Sequence, residues 1–243
     1  WHHFGKAYIF LAALATPLVL SVHSVVSWDF AMAIVPGWHA TIFAPYFVAG
    51  AIFSGVAMVI TLVVPIRKIF GLEAYLTTKH FDAMAKLCLL TSLIVLYAYL
   101  SEFFLAWYSG EEIEKASFWN RLFGDYWWAT WTMLTCNGFV PIMLWFKRIR
   151  HSIPALFVIS IFINIGMWFE RYVIVVTSLH HEYEPFAWGI YRPSLTEMAL
   201  LVGSFCWFGF WFLLFTRLLP PIAIAELKEV LPAPIRKKTG EAY

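Results

Sequence analysis

The sequence predicts an all-α polytopic membrane protein with about six transmembrane helices and both termini in the cytoplasm. Three observations predict it. First, only 13% of the 243 residues are charged, against 61% hydrophobic and 19% aromatic. A soluble domain carries about 25% charged and about 45–50% apolar residues, so polar surface is too scarce here to coat a globule in water. Second, six apolar stretches are each long enough to cross a hydrocarbon core of about 30 Å, which takes roughly 20 helical residues. Third, the connections between those stretches alternate in charge. A mean hydropathy of +0.73 agrees with all three.

The expected spans cover residues 7–27, 44–66, 83–108, 126–146, 153–178 and 195–219. They are read as helices because lipid offers no partner to an unpaired backbone group. In the first span Pro17 should bend the helix and free the carbonyl of Ala13, and Pro141 in the fourth should do the same to Asn137. In the second, Gly50 with Ser54 and Ala51 with Gly55 are small residues four apart, which lets a neighbouring helix approach closely. The sequence contains no internal repeat or linker, so residues 1–219 form one transmembrane domain and residues 220–243 a cytoplasmic tail. The chain begins at Trp1 and lacks a signal-peptide layout, which predicts that upstream sequence was processed away or is missing.

Orientation follows from the connections. The basic ones hold Arg67, Lys68 and Lys79, then Lys147, Arg148 and Arg150, then Lys228, Arg236, Lys237 and Lys238 in the tail. The alternate ones carry Asp29, then Glu111, Glu112, Glu114 and Asp125, then Glu182 and Glu184. Positive residues stay on the cytoplasmic side, and six spans return the chain to that side. Residues 28–41, 111–125 and 180–193 then form the outer loops. The first is still mostly apolar and reads as a re-entrant or interface-lying segment; the other two are large enough to dock another subunit.

Several function classes fall away. A net charge of +2 supplies no basic field for nucleic acid. Cys88, Cys136 and Cys206 lie singly in apolar runs, without the C-x-x-C spacing of a zinc ribbon, iron–sulfur cradle or c-type haem. Of eight histidines only His23 lies well inside a span, whereas a b-type haem needs histidine pairs at matching depth.

The informative residues are the ionisable ones that lipid should not tolerate, since a charge at the centre of a membrane helix costs about 2.5–3.5 kcal/mol on insertion scales. His23, Glu102, Glu170, Arg171 and Glu197 lie within or at the ends of spans, and Asp29 directly follows one. Every one falls in the outer half of its helix, which predicts one polar chamber near the outer surface. At 100° per residue Ser160, Asn164, Met167, Arg171 and Ser178 share one face of the fifth span, and Glu170 is turned away towards a different neighbour. Cys88, Thr91, Tyr99 and Glu102 form a stripe on the third span, and Thr16, His23 and Ser27 one on the first. Each feature has a plainer reading: Glu170 and Arg171 as members of buried ion pairs, the Ser/Thr stripes as interhelical glue, His23 as a packing histidine, Trp127 and Trp128 as interface-belt residues. The clustering of His23, Asp29, His39, Glu102 and Arg171 at one depth is harder to dismiss.

A transporter favours broken helices and a site near the midplane; these charges gather near one surface. A quinol site fits better. It needs an apolar slot, with Trp28, Trp38, Tyr46 and Trp168 at hand to line it. It also needs polar groups at the ring oxygens and an acceptor for each released proton.

The run His23-Ser24-Val25-Val26-Ser27-Trp28-Asp29-Phe30-Ala31 is followed by Pro36-Gly37-Trp38-His39 and by Pro45-Tyr46-Phe47-Val48-Ala49-Gly50-Ala51. Later come Trp131 with Cys136-Asn137, then Asn164-Ile165-Gly166-Met167-Trp168-Phe169-Glu170-Arg171-Tyr172-Val173, the segment 185–193, and Pro220-Pro221 with Ala223-Ile224-Ala225-Glu226. Together these resemble the polysulfide-reductase membrane-subunit (NrfD-like) family, and more narrowly its ActC branch in bacterial alternative complex III. Members are about twice as long and hold two four-helix bundles, so the resemblance implies that this chain is the C-terminal half and contains one such bundle.

What the resemblance implies is a quinol:electron-acceptor oxidoreductase of the bacterial cytoplasmic membrane, with proton translocation as a further capacity. This subunit would bind menaquinol or ubiquinol near the outer face and pass electrons to an iron–sulfur subunit docked there. Multihaem cytochromes of the c type, other membrane subunits and a terminal oxidase would follow. Asp29 and Arg171 match polar positions of the family's quinol pocket. His23 and His39 join them by proximity, Asp29 and His23 as the catalytic proton acceptors, and Trp168 lines the slot. Glu102, Glu170, Asn164 and Tyr99 would form a proton path. No cofactor is expected in this chain itself; iron–sulfur clusters and c-type haems belong to the partners. The alternative is the anchor or quinone-reducing subunit of a molybdenum-enzyme complex of the polysulfide-reductase type, or a proton- or ion-translocating protein without a redox role.

Overall fold

A computed structural model describes residues 2–38 and 40–223, without the side chain of His2. The described chain is helical and contains no strand. Helix α1 (His2–Ala31) runs through Pro17 and outlasts the expected span by one turn. Helix α2 (Phe43–Ile69) returns and α3 (Thr78–Tyr108) follows, beginning at a capping box in which the Thr77 hydroxyl and the His80 ring meet. The segment 111–125, expected as a loop, holds an amphipathic helix, α4 (Glu112–Phe123). It carries the 3.6-residue pattern of Ile113, Ser117, Phe118 and Arg121, and Glu112 and Glu114 favour its N-terminus electrostatically.

Five of the described helices are long and apolar enough to cross a membrane. The expected fourth span is the exception. Residues 126–146 begin as α5 (Trp127–Leu134), widen into a π turn (Thr135–Phe139), resume over Val140–Ile142 and close as a 3-10 turn (Met143–Trp145). Pro141 is the cause. It cannot donate to the carbonyl of Asn137 and its ring crowds that carbonyl, and just before it the N–H of Val140 reaches back to Thr135. The frayed end is repaired from outside: Arg150 Nη1 donates to the carbonyls of Leu144 and Trp145 at 2.9 Å each, while its Nε pairs with Asp82 at 2.9 Å. Helix α6 (Ile153–Tyr172) also passes into a π turn (Val173–Thr177) before ending at His180.

Helices α2, α3, α6 and the broken α5 segment enclose the core, with α1 laid against α2. Phe43, Phe53, Phe81, Val95, Leu156 and Ile163 fill it. Gly166 and Gly50 are the close approaches that bring the helices together. A Cβ on Gly166 would lie 2.2 Å from Asn137 Oδ1, and one on Gly50 would lie 3.5 Å from Met167 Cε. The chain divides into two compact units, Trp1–Tyr191 and Arg192–Tyr243. The second contains α7 (Leu195–Leu218). There Glu197, expected among the membrane-embedded charges, is a helix cap. Its Oε2 accepts from the Ser194 N–H at 2.6 Å and from the Ser194 hydroxyl at 2.9 Å, which satisfies a helix end and explains the carboxylate without a site.

Candidate functional site

The bundle end where α1, α3 and α6 finish and α2 begins collects the ionisable residues His23, Asp29, Glu102, Glu170 and Arg171. Deepest among them is Glu170, fully buried in the core. It is turned off the stripe of Asn164, Met167 and Arg171 and meets α3 and the α5 π turn, but α2 reaches it as well: a Cβ on Gly50 would lie 3.8 Å from its Oε1. The Tyr99 hydroxyl donates to Glu170 Oε2, and Asn137 Nδ2 donates to Tyr99 Oη at 3.0 Å and to the same carboxylate oxygen at 3.3 Å. The Tyr46 hydroxyl adjoins the same carboxylate. Glu170 Oε1 is buried without a hydrogen-bond partner among the described residues, as is Asn137 Oδ1. Leaving such an atom unsatisfied costs about 1–3 kcal/mol, which marks the cluster as a place where polar chemistry is held against the preference of an apolar core.

One turn beyond Tyr99 on α3 stands Glu102, whose Oε1 is also buried and unpartnered among the described residues. The cation that acts on it is Arg121 of α4, a buried guanidinium that donates from Nη2 to Ser178 Oγ at 2.7 Å and lies 4.5 Å over the Phe118 ring. Burial pulls the Arg121 pKa below the usual range, opposed chiefly by Glu102 and Glu114. Gly37 makes room for this arginine: its φ of +80° suits glycine, and a Cβ there would lie 2.8 Å from Nη2. The π turn matters here too. It inserts an extra residue into the helical repeat, so Ser178 faces α4 instead of continuing the Arg171 stripe.

Arg171 itself is exposed, with its guanidinium 4.7 Å over the Phe47 ring. Phe47 packs against Phe30 at 5.4 Å, and Phe30 against Trp38 at 4.9 Å, whose indole N–H donates to the Ile174 carbonyl at 2.7 Å. Asp29 directly precedes Phe30 and is exposed on the last turn of α1. Arg171 thus sits on this aromatic corner, Asp29 adjoins it through its sequence neighbour Phe30, and no ion pair joins the two among the described residues. His23 is half-buried two turns earlier. Its Nδ1–H donates to the Val19 carbonyl at 2.8 Å, which leaves Nε2 as the acceptor of the neutral ring. Thr16 and Ser27 likewise bond carbonyls of their own helix, at 3.0 and 2.6 Å. His39 lies outside the described residues.

Two expected residues sit elsewhere. Trp168 stacks on Tyr172 at 5.8 Å and meets Phe169 edge-on, on the aromatic face that Trp128 shares. Asn164 donates to Thr61 Oγ1 at 2.9 Å, and Thr61 meets Ser160 at 2.8 Å, nearly two turns or more below Glu170. This is interhelical glue between α2 and α6 of the kind expected for the Ser/Thr stripes. The residues that sequence reasoning underrated are Asn137 and Arg121. An asparagine shortly before a proline in an apolar run was a signal for the first. For the second, the signal was a cation at helical spacing within an acidic connection.

A model of the family described as polysulphide reductase, NrfD, matches residues 1–181. A curated protein of Halobacterium salinarum, named as a membrane component of a dimethyl sulfoxide reductase, is 29% identical over 224 residues, covering 79% of this chain and 48% of the relative. The chain therefore spans about half the length of the curated relative it matches. With the family model covering all the residues of the polar bundle end, this chain belongs to the NrfD polysulphide reductase family of multi-pass membrane proteins.

Proposed function

We propose that this chain is the quinone-linked membrane subunit of a multisubunit oxidoreductase of the molybdenum-enzyme type. In this reading it oxidises quinol near the outer face of the cytoplasmic membrane and delivers electrons to an iron–sulfur subunit, which feeds a molybdenum-containing catalytic partner. The observation that carries it is the fully buried Glu170, held by Tyr99 and Asn137 inside an apolar bundle. Such a group is expensive as packing and useful as a relay for the protons that leave a quinol. Asp29 and Arg171 at the aromatic corner supply the polar groups for the ring oxygens. An arginine can stabilise a quinol that is becoming anionic, and Asp29 or His23 can accept its proton.

The likeness to a dimethyl sulfoxide reductase membrane protein favours molybdenum-type partners over the multihaem cytochromes and terminal oxidase of alternative complex III. The quinol reading of this chain is the same with either set of partners. The test is Glu170→Gln in the assembled, reconstituted complex. Quinol-driven reduction of the terminal acceptor should fall by about 10²-fold, while reduction persists when a viologen dye feeds electrons directly to the partners. Unchanged quinol-driven turnover would refute the relay. Ion flux through the isolated chain without redox partners would point to a translocator.

A further inference from the structure

Beside Glu102 lies a chamber of about 340 Å³ that the quinol corner at Arg171 does not include. It is walled by Gly37 and Thr41 of the α1–α2 connection, by Glu102 and Leu105 of α3, and by Glu114 and Phe118 of α4. Its lining includes Glu102, whose Oε1 is buried without a partner among the described residues. Thr41 and Leu105 also belong to a second, open groove of about 580 Å³, which runs down the outside of α3 past Tyr97, Leu100 and Phe104. Those side chains are 66%, 63% and 56% exposed, on a helix apolar enough to span a membrane. An apolar groove open to lipid thus leads, through two shared residues, to a space with an unsatisfied carboxylate.

We infer that this chamber is a quinol headgroup site entered laterally from the bilayer, with the isoprenoid tail lying in the α3 groove and a ring hydroxyl donating to the Glu102 carboxylate. The inference rests on the quinone-linked reading above and adds a second location to it. The chemistry selects the ligand. A carboxylate oxygen without a donor calls for a hydroxyl or a cation, and among the described residues the carboxylates do not come together as metal ligands. The amphiphile must also bring an apolar chain, because the continuation from the chamber past Thr41 and Leu105 is lined by Tyr97, Leu100 and Phe104. The Phe118 ring, fixed beneath the Arg121 guanidinium, offers a flat wall for a planar headgroup.

The test is photolabelling of the whole complex in membranes with an azido-quinone carrying an isoprenoid tail, followed by peptide mapping. Label is expected on residues 97–105 of α3, reduced about tenfold by Glu102→Gln, the loss expected for one hydrogen bond to a charged group. Leu100→Trp, which narrows the groove from its exposed side, should raise the KM for quinol several-fold. Leu90→Trp, also exposed on α3 but outside the groove, should not. Label confined to the Asp29–Arg171 corner overturns this site and leaves the quinone-linked reading standing. No label anywhere on the chain, with normal quinol turnover, overturns both.

Discussion

Asn120 and His181 meet at 2.6 Å, the asparagine Nδ2 donating to the histidine Nε2, and this contact ties α4 to the end of α6. His181 Nδ1–H donates in turn to the Thr177 carbonyl at 3.0 Å, so both ring nitrogens are used in the neutral form. Trp188 and Tyr126 stand edge-on to the ring at 4.8 and 5.7 Å.

The histidine makes this joint sensitive to acid. Burial lowers the His181 pKa, and Arg121 and His180 push the same way against the Thr177 carbonyl and Asp125. The folded state therefore binds fewer protons here than the unfolded state. Stability from this group is complete above the unfolded value of about 6.5 and is lost as pH falls from there through the lower folded value. Thermal melts of the complex should show a lower melting temperature at pH 5 than at pH 7.5, and His181→Gln should shrink that difference. An unchanged difference would show that the joint does not titrate.

Gly166→Ala should be among the most damaging small substitutions in the bundle. The added methyl would meet Asn137 Oδ1 at 2.2 Å and Cys136 Cβ at 2.6 Å, and overpacking of this kind costs about 1–3 kcal/mol. Moving Asn137 also removes a donor from Tyr99 and Glu170. Gly55→Ala, which meets nothing within 4 Å, is the matched control. Equal melting temperatures for the two variants would contradict the close approach.

Tyr99→Phe deletes one donor to Glu170 while keeping the ring that packs 5.8 Å from Tyr46. Quinol-driven turnover should drop about tenfold with assembly intact, the cost of one hydrogen bond to a charged group. Blue-native gels would verify assembly, and stopped-flow quinol oxidation would measure the loss. A variant with full turnover would reduce the cluster to packing.

Asp29→Asn and Arg171→Leu should each remove most quinol-driven activity and leave the complex assembled. Both side chains are exposed, so neither substitution should lower the melting temperature by more than about a degree or two, as for other surface changes. Normal turnover in both variants would remove the corner from the quinol site.

Much of this arrangement was legible in the residues. Composition and run length place the chain in lipid, and the helical rotation separating Glu170 from Arg171 predicts different neighbours. Glu170 does gain Tyr99 and Asn137, but it and Arg171 both also meet α2, at Tyr46 and Phe47. The gathering of ionisable groups at one end follows from counting along alternating spans. What periodicity misses is where the repeat itself changes. A regular 100° step puts Ser178 on the Arg171 face, and it carries the fourth span through Pro141 as one helix; both fail because each helix adds a π turn. Arg121 was illegible for another reason. Its burial depends on Gly37, Phe118 and Ser178 coming together from three separate parts of the chain. Glu197 shows the reverse error, in which a carboxylate read as membrane-embedded is accounted for by its neighbour Ser194.

The two π turns have a consequence for how this chain tolerates length changes. Losing one residue inside a transmembrane helix ordinarily rotates everything beyond it by a quarter turn or more and misaligns its packing. Within Val173–Thr177 the same deletion would instead restore an ordinary α-helical repeat, whereas within Thr135–Phe139 Pro141 would still interrupt it. A chain shortened in Val173–Thr177 should still insert and fold, yet its Ser178 would no longer stand opposite Arg121. Single-residue deletions can therefore separate the requirement for a stable bundle from the requirement for a correctly aimed polar cluster.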